Sequence, residues 1–144
     1  SGIVLDLNDE KGREVFRRLA RTADILIENY RPGVMTRFGL GYEALRQDNP
    51  RLIYASISGH GQTGPWASKG GFDLIAQGLS GLMSVTGNAD GTPVKVGVPL
   101  TDLSAGLFAL IGVLAALQAP HGTRARSVTS RPPSRRASKP QYRR

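Results

Sequence analysis

An α/β fold with a parallel sheet is the class this sequence predicts, and three observations predict it. Apolar runs of strand length stand at Ile3 to Leu7 and Ala23 to Ile27, and Leu52 to Ile57 alternates in a strand-like way. Helical patterns separate them, over Glu10 to Thr22 and Tyr42 to Gln47. The resulting order of strand, helix, strand, helix, strand is that of a sheet layered with crossover helices.

Each element has its own signal. Ile3 to Leu7 reads as a short buried strand. It follows Ser1 with no initiator Met, signal peptide or polar arm, so the reading expects sequence before it. Asp9 is a natural N-cap for the helix that follows. In that helix Val15, Phe16, Leu19 and Ala20 share one face, and Arg13, Arg17, Arg18 and Arg21 lie largely on the other. Arg31-Pro32-Gly33 ends the second strand, and a short helical stretch leads to the turn Phe38-Gly39-Leu40-Gly41. The helix from Tyr42 stops near Pro50.

Beyond the third strand, Ser58 to Gly71 is a glycine-rich loop holding Pro65 and Trp66. It is not a P-loop, because the Gly-Lys-Ser/Thr ending is missing. Phe72 to Met83 has a helical pattern weakened by Gly78 and Gly81, and Asn88 to Gly91 is a turn. Asp102 opens the most apolar helix, Leu103 to Leu117. Its 15 residues fall short of the roughly 18–20 that a membrane span needs, so it reads as a core helix and no span is expected.

The net charge of +8 is unevenly placed. Residues 1–119 hold 11 of the 19 Lys and Arg and all 11 Asp and Glu, so that body is neutral. Residues 120–144 carry the remaining basic residues and no acid, in a setting of Ser, Pro and Thr. This segment cannot offset the entropy of folding, so a disordered basic tail is expected. A nucleic-acid-binding face on the body is not. The absence of cysteine excludes disulfides, thiolate metal sites and cysteine nucleophiles, and fits a reducing compartment. With His60 and His121 alone, no histidine-rich metal site or Ser-His-Asp triad is expected.

Several segments in order resemble the family III coenzyme A transferases, the group that includes formyl-CoA transferase and α-methylacyl-CoA racemase. They are Leu5-Asp6-Leu7, Ala23 through Gly33 with its Asn29-Tyr30-Arg31-Pro32-Gly33 ending, and Asn49-Pro50-Arg51-Leu52-Ile53. Then come Ser58-Gly59-His60-Gly61, Gly64-Pro65, Gly71-Phe72-Asp73 and Asp102. The resemblance covers roughly residues 2–118, within sequences that continue at both ends, so the chain reads as an internal fragment with residues 1–119 as a partial large domain. It implies a partial Rossmann-like layer and a cytoplasmic enzyme that moves coenzyme A between an acyl-CoA and a small carboxylic acid. Coenzyme A is then a substrate, and no permanently bound cofactor is implied. The full-length protein would be a homodimer of interlocked rings.

The resemblance also assigns residues. Asp102 becomes the nucleophile that attacks the thioester and splits one acyl transfer into easier steps. By spacing alone Asp102 reads first as an N-cap of the apolar helix, and the two roles are compatible, since a helix N-terminus favours an anionic side chain. Asn29, Tyr30 and Arg31 would line the coenzyme A site at the sheet edge where α/β proteins bind ligands. Arg37 would face a phosphate or the pantetheine arm, although a solvated helix position explains it almost as well. Lys69, Gly70, Gly71 and Phe72 would form a wall, with the glycines permitting close backbone approach, and Leu5, Asp6, Leu7 and Asn8 would add to it. Phe72 stands where the racemase branch has a proton-carrying histidine, which argues for transfer and against racemisation. Asp73 is a capping candidate.

Two further readings remain beside the enzyme: a basic-tailed protein drawn to nucleic acid or an anionic membrane, and an inactive truncated product. The tail also reads as the family's continuation shifted in frame. Codons for Ser134-Arg135-Arg136-Ala137-Ser138 can be chosen so that the reading one nucleotide earlier gives Phe-Glu-Ala-Gly-Ile. The same offset lets Thr129-Ser130-Arg131 give Asp-Val-Ser, both in the family's order.

Overall fold

In a computed structural model that describes residues 2–118 and 127–129, three strands form a parallel sheet in the order β1-β2-β3. They are β1 (Ile25–Glu28), β2 (Ile53–Ser56) and β3 (Ser127–Thr129). The register sets Ile25 beside Ile53 and Tyr54 beside Ser127. Helices α1 (Glu10–Thr22), α2 (Val34–Arg37) and α3 (Tyr42–Asp48) lie between the first two strands in sequence. After β2 come α4 (Asp73–Leu79), a 3₁₀ turn at Leu82–Val85 and the long α5 (Leu100–Gln118). The α/β class with a parallel sheet is therefore as expected. The disordered tail assigned to residues 120–144 falls outside the described residues, apart from β3.

β2 explains the layering. All four of its residues are buried, and successive side chains point to opposite faces. Tyr54, with Leu52 just before it, joins Ala20, Met35, Leu40 and Leu45 in a core beneath α1, α2 and α3. Ile53 and Ala55 pack on the other face against Val113 and Ala116 of α5. The sheet thus carries helices on both sides, so β2, whose sequence reads as alternating, is buried on both faces.

α1 has the boundaries and the cap that its pattern predicts: the Asp9 side chain accepts from the Lys11 amide. Its other end is closed from a distance. The Asn49 side-chain amide donates to the carbonyls of Ala20 (3.0 Å) and Ala23 (2.8 Å), taking up groups that a helix end leaves unpaired.

Three local expectations are corrected. Ile3 to Leu7 is not a strand: Ile3 and Val4 are exposed, and the segment lies across the start of α1. Arg13 Nη1 donates to the carbonyls of Leu7 (3.0 Å) and Asn8 (2.9 Å), and a Cβ at Gly12 would stand 2.0 Å from the Asp6 carbonyl oxygen. A strand needs a neighbour, and among the described residues β1 pairs only with β2. The Phe72 to Met83 helix is broken at Gly81, whose φ of +77° is left-handed. The third concerns α5, which starts at Leu100, so Asp102 is its third residue and not its N-cap. With 19 residues this helix is long and apolar enough to cross a membrane by length and composition, so the length argument against a span fails.

Candidate active site

The carboxyl ends of β1 and β2 converge with the glycine loop and the starts of α4 and α5 on one open cleft of about 390 Å3. At the end of β1, Glu28 accepts from the Tyr30 amide (2.7 Å) and receives the Ser56 hydroxyl of β2. This fixes the chain where it leaves the sheet. Arg31 then closes a turn with Val34, its carbonyl accepting at 3.1 Å, and Gly33 at a φ of +87° admits the left-handed step. Asn29, Tyr30 and Arg31 line the cleft.

The glycine loop meets them through backbone. Gly59 and Gly71 lie back to back: a Cβ on Gly59 would fall 2.4 Å from the Gly71 Cα, closer than any real side chain approaches. A Cβ on Gly70 would sit 3.5 Å from an Arg31 guanidinium nitrogen. The glycines therefore bring Lys69, Gly70, Gly71 and Phe72 to the same cleft as Arg31. Phe72 is 69% exposed and offers an apolar face to the opening.

Asp102 enters the cleft from α5, and the hand that holds it is Asp73. Asp73 Oδ1 accepts from the Thr101 hydroxyl (2.6 Å), the Thr101 amide (2.8 Å) and the Asp102 amide (3.4 Å). Its Oδ2 accepts from Gln77 (2.6 Å). One carboxylate from α4 thus takes up amides at the start of α5, the work expected of a cap from Asp102 itself. The Thr101 hydroxyl, then the Thr101 amide, Gln77 and the Asp102 amide hold the Asp73 carboxyl below its usual range, against the raising effect of burial. Gln77, fully buried, also accepts from the Val96 amide (2.8 Å) and so pins the segment leading into α5. Relieved of capping, the Asp102 carboxylate has no hydrogen bond or ion pair among the described residues. It is exposed to the cleft.

Not every expected residue arrives there. Leu5, Asp6, Leu7 and Asn8 lie along α1, away from the lining. Arg37 stays at the end of α2, its guanidinium 5.4 Å from the Phe38 ring centroid. Arg31 alone also borders a second cavity of about 380 Å3, which holds Glu28, Tyr42, Tyr54 and Gln62. Burial, and then Glu28, push the Tyr54 phenol upward. The cleft contains residues that the sequence reading did not assign to the site: His60, Ile75, Thr101, Ala105 and Gly106. Ala105 and Gly106 were within reach, since three and four residues after Asp102 share its helix face. Among the described residues, no group of three His, Asp or Glu is placed to hold a metal.

Comparison with known proteins adds three findings. The family model for CoA-transferase family III matches residues 1–128, into the segment that holds β3. Succinate–glutarate CoA-transferase of Agrobacterium fabrum is 50% identical over 115 residues, 80% of this chain and 29% of that protein. Acetyl-CoA:oxalate CoA-transferase of Acetobacter aceti is 52% identical over 118 residues, 81% of this chain and 30% of that protein. The chain therefore spans about 30% of the length of these relatives. Among solved structures, a CAIB/BAIF family protein from Brucella suis superposes with a TM-score of 0.84 at 41% identity, covering 88% of this chain and 34% of that one.

Proposed function

Because the chain belongs to CoA-transferase family III, we propose that the complete protein moves coenzyme A from an acyl-CoA to a carboxylic acid, with Asp102 as nucleophile. The observation that carries this reading is the meeting of Asn29, Tyr30, Arg31, Lys69, Gly70, Gly71, Phe72 and Asp102 around one cleft. The Asp102 carboxylate attacks the thioester carbonyl and expels the coenzyme A thiolate, leaving a mixed anhydride. The thiolate attacks the aspartyl carbonyl, forming an aspartyl thioester and releasing the donor acid. An acceptor carboxylate then displaces the thiolate from that thioester. The thiolate finally attacks the acceptor's carbonyl, giving the new acyl-CoA and restoring Asp102.

This chain supplies an unpaired carboxylate, cationic groups for an anionic substrate and an apolar wall. Asn29, Tyr30, Arg31 and Lys69 to Phe72 are assigned to coenzyme A. Leu5 to Asn8 and Arg37 belong to the same proposal as an outer part of the site, completed by ligand or by further chain. The two relatives are named for succinate, glutarate and oxalate, so short dicarboxylic acids are the acceptors to assay first. Phe72 has no proton to exchange, which supports transfer over racemisation. We read α5 as a core helix because Ala109, Val113 and Ala116 are buried, and Val113 and Ala116 pack on β2. In the complete protein, assembly as a homodimer belongs to the same proposal.

The test is kinetic. In the complete enzyme, Asp102→Ala and Asp102→Asn should each lower acyl exchange by about 10³-fold or more. Wild-type rates in both variants would remove the assignment.

A further inference from the structure

Lys69 and His60 line the cleft, and both are held by a residue that does not. The Trp66 ring receives the Lys69 ammonium 4.8 Å from its centroid. It also meets the His60 ring edge to face, with centroids 5.4 Å apart and planes at 87°. Trp66 sits in a tight loop of its own: the Ala67 amide donates to Gly64 (3.2 Å) and the Lys69 amide to Trp66 (2.9 Å). Gly64 supplies the left-handed turn at a φ of +102°.

From this geometry we infer that Trp66 is a positioning residue. It holds the cationic wall of the cleft in place before ligand arrives, acting through Lys69 and His60 and not by touching ligand itself. The inference rests on the acyl-CoA reading above for its ligand, a thioester carrying several phosphate charges. The physical reason is conformational. A free lysine has about 2 kcal/mol of side-chain entropy to lose when it is fixed on an anion. A lysine already seated on an indole face loses less on binding, and the face attracts the cation by its quadrupole. Arg31 is set beside Gly70, so Arg31 and Lys69 line the same cleft as Asp102, its one carboxylate among the described residues.

The experiment measures coenzyme A affinity by calorimetry on the complete protein, in two backgrounds. In the wild-type background Trp66→Ala and Trp66→Leu should each weaken binding by about three- to tenfold, since neither offers a π face, and Trp66→Phe should fall between them and the wild type. In a Lys69→Met, His60→Phe background the same Trp66 changes should alter affinity less than about twofold, because the groups Trp66 acts through are gone. Circular dichroism confirms that each variant is folded, and Trp66→Leu, which keeps apolar bulk, serves if Trp66→Ala is not. Equal losses in both backgrounds, or no loss in the first, overturn the inference while leaving the acyl-CoA reading intact. A folded wild type that binds no coenzyme A overturns that reading, and the inference with it.

Discussion

The division of labour between two aspartates is the finding at the scale of single residues. Among the described residues the Asp73 carboxylate collects hydrogen bonds and the Asp102 carboxylate collects none, so a structural carboxylate leaves the proposed nucleophile unpaired. Removing charge from each should therefore have unequal consequences for stability. Asp102→Asn in the folded chain should leave the unfolding free energy within the spread of surface substitutions, about ±0.5 kcal/mol, because no partner is lost. Asp73→Asn should lower it. The pH dependence separates them further. A carboxyl held below its ordinary value of 3.8 contributes stability that is fully present above that value and is lost as the pH falls through the lower, folded one. Thermal unfolding followed from neutral to acid pH should show this loss in the wild type and a shallower one in Asp73→Asn. Identical profiles would mean that the Asp73 bonds do not set the start of α5. Asp73 was legible in the sequence only as some cap, since nothing local joins it to a helix 27 residues on. The early start of α5 was hidden for the same reason.

Elements were most legible where a signal was local. Asp9 and the apolar face of α1 gave that helix its observed limits, and the alternation around β2 foretold a strand, though not its burial on both faces. Ile3 to Leu7 misled because strand composition does not supply a strand's neighbour. The glycine loop marked itself as glycine-rich, but only the fold reveals that Gly59 and Gly71 cross back to back. That crossing gives an element-scale prediction. Gly59→Ala or Gly71→Ala, with Cβ contacts of 2.4 and 2.5 Å onto backbone, should destabilise by about 1–3 kcal/mol, read from denaturant midpoints. The crossing is also what brings Lys69 to Phe72 against Arg31, so each variant should weaken coenzyme A binding. An unchanged midpoint and affinity would show that the two ends of the loop do not meet in this way.

For the whole molecule, the neutral body and the basic segment behave as separate parts in charge but not in structure. β3 lies beside β2, and the family match runs to residue 128, so shortening the chain tests charge cleanly only beyond Thr129. A chain ending there keeps Arg124 and Arg126 as its only excess cations. It should lose any affinity for DNA at physiological salt, and retention of that affinity would place binding on the body. The family likeness was readable because its motifs are short, ordered and chemically particular. Composition marks the change after Ala119 but does not give its cause. A frame change within the basic segment predicts that the gene's neighbouring frame continues as a CoA-transferase, whereas stop codons at once in that frame would end the idea.

The central claim is that Asp102 carries the acyl exchange, and covalent trapping tests it most directly. The complete enzyme is incubated with an acyl-CoA donor, quenched with hydroxylamine and digested for mass spectrometry. An aspartyl thioester or anhydride at Asp102 is converted to a hydroxamate, so the account predicts that modification on Asp102, dependent on donor and absent from Asp102→Asn. Turnover with Asp102 unmodified, or a hydroxamate on a different carboxylate, would contradict it.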